Sequence, residues 1–155
     1  MRPPEHTLTE YADFECPYCA NAYVEIKQLR ARMGDRLGYE FRHFPLEDKH
    51  PHALQAAEAA EAAGAQGRFE AMHDLLFENQ RALERDDLVR YAREAGVEDI
   101  ERFERELDDH THFEAVEADQ VRGRAEEVDG TPTLFIDGQL YEGFYDAESL
   151  ADELS

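Results

Sequence analysis

The chain has 155 residues, enough for one domain with a hydrophobic core and too few for a second of ordinary size. Its 16 basic and 37 acidic residues give a formal net charge of −21, and lysine occurs only at Lys27 and Lys49. With no basic cluster to neutralise phosphates, nucleic acid is excluded as a partner, and no apolar run is long enough to span or enter a membrane as a helix.

The acids are spread among regular apolar positions, as on the solvated surface of a folded domain. This composition resembles that of proteins from salt-loving organisms, whose saline cytosol screens the self-repulsion. The opening MRPPEHTLTE lacks an apolar stretch of the secretory kind, so the expectation is a cytoplasmic protein.

Residues Thr7 to Phe14, TLTEYADF, form a β-prone run that leads directly into FECPYC, which holds both cysteines. Pro17 suits the first turn of a helix, where a missing N–H costs nothing. Val24, Ile26, Leu29 and Met33 then recur at roughly helical spacing up to Gly34. The next run, YEFRHFP, predicts a strand with Tyr39, Phe41 and His43 on one face, stopped by Pro45. The opening is therefore strand–helix–strand, with the cysteines at the C-terminal end of the first strand.

HALQAAEAAEAAG and GRFEAMHDLLFEN predict two amphipathic helices, the second with Phe69, Met72, Leu75 and Leu76 along one stripe. DDLVRYAREAG begins with acids suited to a helix N-terminus and ends at Gly96. EDIERFERELDD and HTHFEAVEADQVRGRAEEV complete the helical stretch. In the last of these Phe113, Val116, Gln120, Val121, Ala125 and Val128 continue one face. Beyond Val128, TLFI and QLYE read as two strands joined across Asp137-Gly138, a strong hairpin signal, and a final helix starts near Asp146. Neither β-rich end can complete a sheet alone. The prediction is a single domain over residues 1–155, with a core of about residues 5–48 and 129–155 and a helical insertion of about 49–128 as a lid.

Two thiols separated by Pro17 and Tyr18 have three uses. A structural zinc site closes with four ligands, and no second cysteine pair exists; His43, His50 and His52 are the only clustered histidines that could finish one. Pro17 also stands where a metal knuckle carries glycine. A structural disulfide would close so small a ring that it removes little chain entropy. The redox use draws on every local feature: unpaired N–H groups and the dipole at a helix N-terminus favour a thiolate, the attacking species. Cys16 is then the nucleophile and the more exposed thiol, and Cys19 resolves the mixed disulfide. The reaction needs no cofactor or metal beyond this pair. His6, His73, His110 and His112 fall on surface or helix-face positions.

Gly130-Thr131-Pro132-Thr133 immediately precedes the TLFI strand. X-Pro bonds are where cis peptides occur; the alternative is an ordinary trans proline opening a strand.

FECPYC after a short strand, together with GTPT before a hairpin, resembles the thioredoxin fold. The helical insertion and the phrase RHFPLEDKHPHALQAAEAAEAAGAQGRFEAMHDLLFENQ further resemble the DsbA-like branch of thiol:disulfide oxidoreductases, over nearly the whole chain from about Thr7. The resemblance implies an α/β, thioredoxin-like fold with a central mixed sheet. It implies that Cys16 is the nucleophile and Cys19 the resolver. It also implies a cis Pro132 packed on the cysteine pair, and a Thr131 whose backbone meets an extended substrate beside Pro17 and Tyr18. Glu10, six residues before Cys16, stands where the family carries a buried acid that relays protons to the resolving thiol. The implied partners are protein thiols and disulfides plus an unidentified redox partner, with the chain a monomer or weak dimer. Tyr18 replaces the histidine of the periplasmic oxidase, so a less oxidising couple is expected. CPYC is also the glutaredoxin motif, but glutaredoxins are much shorter and lack such an insertion. A metal-binding or redox-inert adaptor of the same fold is the remaining alternative.

Overall fold

Residues 2–155 are described by a computed structural model. The elements run β1 (His6–Ala12), α1 (Pro17–Met33), a single turn of 3-10 helix (Gly34–Arg36), β2 (Leu37–His43), α2 (Ala53–Gly64) and α3 (Phe69–Glu78). They continue α4 (Arg85–Ala95), α5 (Ile100–Asp108), α6 (Phe113–Ala125), β3 (Thr133–Ile136), β4 (Gln139–Tyr141) and α7 (Ala147–Glu153). The strands form one mixed sheet in the order β2-β1-β3-β4, with β1 parallel to β2 and antiparallel to β3. Both ends of the chain thus build the sheet, and the fold is thioredoxin-like.

Side chains alternate across β1, so Leu8, Glu10 and Ala12 share one face and Thr9 and Tyr11 the other. The Leu8 face is covered by α1 and α7 through Ala22, Ile26, Leu29, Met33 and Leu150. Tyr11 instead packs on Phe44, Val128 and Phe135. Helix α6 lies against this second face, and Gly123 permits the approach: an added Cβ would meet Phe44 carbons at 2.9 Å and a Tyr11 carbon at 3.0 Å. The hairpin takes its expected form, with Asp137 (φ 51°) and Gly138 (φ 83°) both in the left-handed region that such two-residue turns require.

Helix faces depart from the periodicity reading in three places. Val24 is exposed, because the buried stripe of α1 runs through Cys19, Ala22, Tyr23, Ile26, Leu29 and Met33. Phe113 and Val121 are exposed on α6, whose buried contacts narrow to Val116, Gln120 and Gly123 as it lies along the sheet margin. Helix α2 is more than amphipathic. Eight of its residues are buried, Ala53, Ala56, Ala57, Glu58, Ala59, Ala60, Ala62 and Ala63, since methyl side chains let α3, α4, α5 and α6 crowd around it.

Candidate active site

Cys16 caps α1 at its N-terminus, Pro17 opens the first turn and Cys19 ends it. The loop that delivers them from β1 is locked by Asp13, whose side chain is fully covered. Its carboxylate accepts the N–H groups of Glu15 at 2.7 Å and Leu46 at 2.8 Å, and meets His50 Nδ1 at 2.7 Å. The Asp13 carbonyl accepts from Cys16 N at 3.1 Å. From the helical insertion, Gln80 Nε2 donates to the Phe14 and Cys16 carbonyls, both at 2.8 Å. Sequence reasoning missed Asp13 and Gln80; it considered His50 as a zinc ligand and favoured a place for it at the border of the first insertion helix, which is where it lies, three residues before α2. The one signal available was the place of Asp13 beside the motif; Gln80 carries none.

The two cysteines are free thiols in opposite electrostatic states. Cys16 is lowered from the ordinary thiol value to about 5, chiefly by the hydrogen bond from the Cys19 thiol. Burial opposes this, while the Thr131 side chain and the N–H groups of Cys19 and Tyr18 add to it. The Thr131 hydroxyl is buried with no other partner, so a thiolate at Cys16 is the group it can serve. Cys19 is pushed far above the ordinary thiol range, first by burial, then by its hydrogen bond to Cys16 and the charges of Glu10 and Cys16. Cys16 is the more exposed thiol, as expected, but only narrowly: it is 3% exposed against 0% for Cys19, with the Thr131 carbonyl 3.7 Å from its sulfur.

Glu10 is 1% exposed on the α1 side of β1, and burial raises its carboxyl to about 7. Tyr39, whose residue pairs with Leu8 in the parallel register, reaches diagonally to donate its hydroxyl to Glu10 Oε1 at 2.5 Å. That bond lowers the Glu10 value and the Cys16 charge raises it. Glu10 Oε2 is buried without a partner.

The Thr131–Pro132 peptide is cis, and the Thr131 carbonyl lies 3.7 Å from Cys16 Sγ. A groove of about 500 Å³ runs past Cys16, Pro17, Tyr18, His50 and Thr131. The structure therefore brings Cys16, Pro17, Tyr18 and Thr131 to one groove wall, places Cys19 and Glu10 beneath the surface, and leaves Pro132 off the wall. Tyr18 is 65% exposed there.

The histidines are dispersed. Nε2 of His43 meets Glu61 at 2.9 Å, His50 meets Asp13, and the His52 N–H reaches Glu15. Among the described residues no group of three or more His, Cys, Asp or Glu side chains is arranged to hold a metal ion. His73 lies on a helix face, that of α3, and the face is an inner one: it is 5% exposed and packed against Phe14, Phe41, Phe69 and Phe77, a setting that local sequence spacing does not reveal.

Fold and site together define a thioredoxin-fold protein with a paired-cysteine centre at a helix N-terminus. Residues 4–154 match the family described as Thioredoxin, and the chain belongs to this family. It is similar to a thioredoxin-like oxidoreductase from Silicibacter pomeroyi, at 26% identity over 97% of this chain and 84% of that one, with a TM-score of 0.83. Its fold is also that of oxidised BdbD from Bacillus subtilis, at 20% identity over 99% of this chain and 88% of that one, with a TM-score of 0.87. It is 46% identical over 146 residues to the Na(+)/H(+) antiporter NhaA 1 of Mycolicibacterium gilvum, covering 93% of this chain and 24% of that protein. The chain thus spans about a quarter of the length of the curated relatives it matches. Among the described residues no helix is long and apolar enough to cross a membrane.

Proposed function

We propose that the chain is a protein thiol:disulfide oxidoreductase of DsbA-like type, cycling Cys16 and Cys19 between dithiol and disulfide. The observation that carries this reading is the opposite displacement of two thiols in one helical turn: Cys16 is lowered to about 5 while Cys19 is raised. A nucleophile of this kind is anionic at neutral pH, and its neighbour stays protonated until it is needed.

In the reducing direction the Cys16 thiolate attacks a substrate disulfide, forming a mixed disulfide and releasing one substrate thiol. Cys19 then gives its proton to Glu10, and the Cys19 thiolate attacks the Cys16 sulfur. The internal disulfide forms and the second substrate sulfur departs. A carboxyl titrating at about 7 can accept and release that proton at neutral pH. The same steps run backwards for oxidation, and the partner's potential sets the net direction. Thr131, beside Cys16, offers its carbonyl and N–H to an extended substrate segment, and Pro17 and Tyr18 form the opposite contact.

The test is covalent trapping. Cys19→Ser should accumulate mixed disulfides between Cys16 and protein substrates, seen on non-reducing gels, whereas Cys16→Ser should trap none. The reverse pattern would exchange the two roles, and no trapping by either variant would overturn the reading.

A further inference from the structure

His50 lies on the loop between β2 and α2 and shares the groove wall with Cys16. Its Nδ1 is held at 2.7 Å by Asp13 Oδ2, and Asp13 is itself anchored by the Glu15 and Leu46 N–H groups. This fixes the ring orientation and leaves Nε2 as the working nitrogen. Among the described residues His50 Nε2 has no protein hydrogen bond, and it is not closed off from solvent; the side chain is 19% exposed. The contrast with the other buried rings is informative: His43 Nδ1 and His73 Nε2 are enclosed with no partner and no opening to the groove.

We propose that His50, oriented by Asp13, is the acid–base group of the substrate groove, exchanging a proton with the substrate thiol that leaves or enters as Cys16 reacts. This rests on the dithiol-exchange reading and adds a residue to it. When the Cys16 thiolate attacks R–S–S–R′, a bond forms between the Cys16 sulfur and R–S, and the S–S bond breaks. The R′ sulfur takes its electron pair and a proton from the His50 imidazolium, and leaves as R′–SH. Neutral His50 recovers its proton from water in the groove. In the other direction the neutral ring takes the proton of an incoming thiol, whose thiolate then attacks.

The chemistry calls for such a group. An alkyl thiol ordinarily titrates at about 8.5, so its anion is a slow leaving group at neutral pH. Glu10 is placed to serve Cys19 beneath the surface and lines no part of the groove. Histidine is the side chain whose ordinary range lets it give and take protons there. The charged and titratable groups around His50 are Asp13 and Cys16 from the β1–α1 junction, Glu47, Asp48 and Lys49 on its own loop, Arg124 of α6, and Asp129 before β3.

The experiment compares two disulfides with different leaving groups, using reduced full chain. One is bis(2-hydroxyethyl) disulfide, whose alkyl thiol needs a proton. The other is 5,5′-dithiobis(2-nitrobenzoate), whose aryl thiolate leaves without one. His50→Asn keeps a donor near the Nδ1 position for Asp13 and removes the titrating ring. The expected result is a fall of about tenfold or more in the ratio of alkyl to aryl rate constants. In the unaltered protein that ratio should decline as rising pH removes the proton donor, and in His50→Asn it should be flat. An unchanged ratio, whether both rates fall together or neither does, overturns the proposal, as does a pH-independent ratio in the unaltered protein. Reaction of the unaltered protein with neither disulfide is a different outcome, and it overturns the exchange reading as well.

Discussion

Between α2, α3, α4 and α5 the interior is filled by alanine methyls, Met72, Leu76, Leu88, Phe103 and Leu107. At the β1–α1 junction, a few residues away in the same molecule, the covered groups include Glu10, Asp13 and the Thr131 hydroxyl. The first region buries surface that water disfavours, and every such contact stabilises the fold. The second buries groups that water favours, and Glu10 Oε2 does so without a hydrogen-bond partner. Desolvation there costs stability and moves proton affinities, which is what the proposed thiol exchange uses. Removing a side chain should therefore have opposite signs in the two regions.

The largest effect belongs to the insertion. Phe103→Ala should cost about 4 kcal/mol, since the ring is fully buried and leaves a cavity. Urea unfolding would measure this, and the Cys16 titration, followed by thiolate absorbance, should remain at about 5. A shifted midpoint would show that the lid interior and the site are one electrostatic unit.

Glu10→Gln should do the reverse. The folded-state carboxyl is raised from 4.5 to about 7, so folding favours its protonated form. Its stabilising contribution is present below 4.5 and is lost as pH rises through about 7. The amide does not ionise, so the variant should be more stable than the parent above pH 7 by about 3 kcal/mol, with the advantage gone below 4.5. Denaturation at both ends of this range tests the sign. The variant should also resolve mixed disulfides more slowly, because Cys19 loses its proton acceptor.

Thr131→Val should have the smallest effect on stability and a selective one on chemistry. Replacing the buried hydroxyl with a methyl leaves packing nearly intact, but the Cys16 titration should move up from about 5 toward the ordinary thiol value. An unmoved midpoint would show that the backbone N–H groups and the Cys19 thiol suffice.

Strand–helix–strand, the insertion and the hairpin were legible because each rests on local chemistry: Pro17 after a capping position, Gly34 and Gly96 at helix ends, and Asp137-Gly138 in the turn. Helix faces were less so. Val24, Phe113 and Val121 are apolar at plausible spacing yet exposed, because which stripe is covered depends on where the sheet and neighbouring helices lie. The buried His73 shows the same limit from the other side, its aromatic surroundings coming from β1–α1, β2 and α3.

The sequence by itself determined the fold and brought the two cysteines to the start of a helix after a strand, the arrangement on which the proposed exchange rests. Only the tertiary structure decided how the two thiols differ, and that a tyrosine on the neighbouring strand holds Glu10. It also decided that Asp13 holds His50 at the groove wall. The physical reason is that proton affinity depends on desolvation and on neighbours in space. Thr131 is 115 residues from Cys16 along the chain, Tyr39 is 29 from Glu10, and His50 is 37 from Asp13.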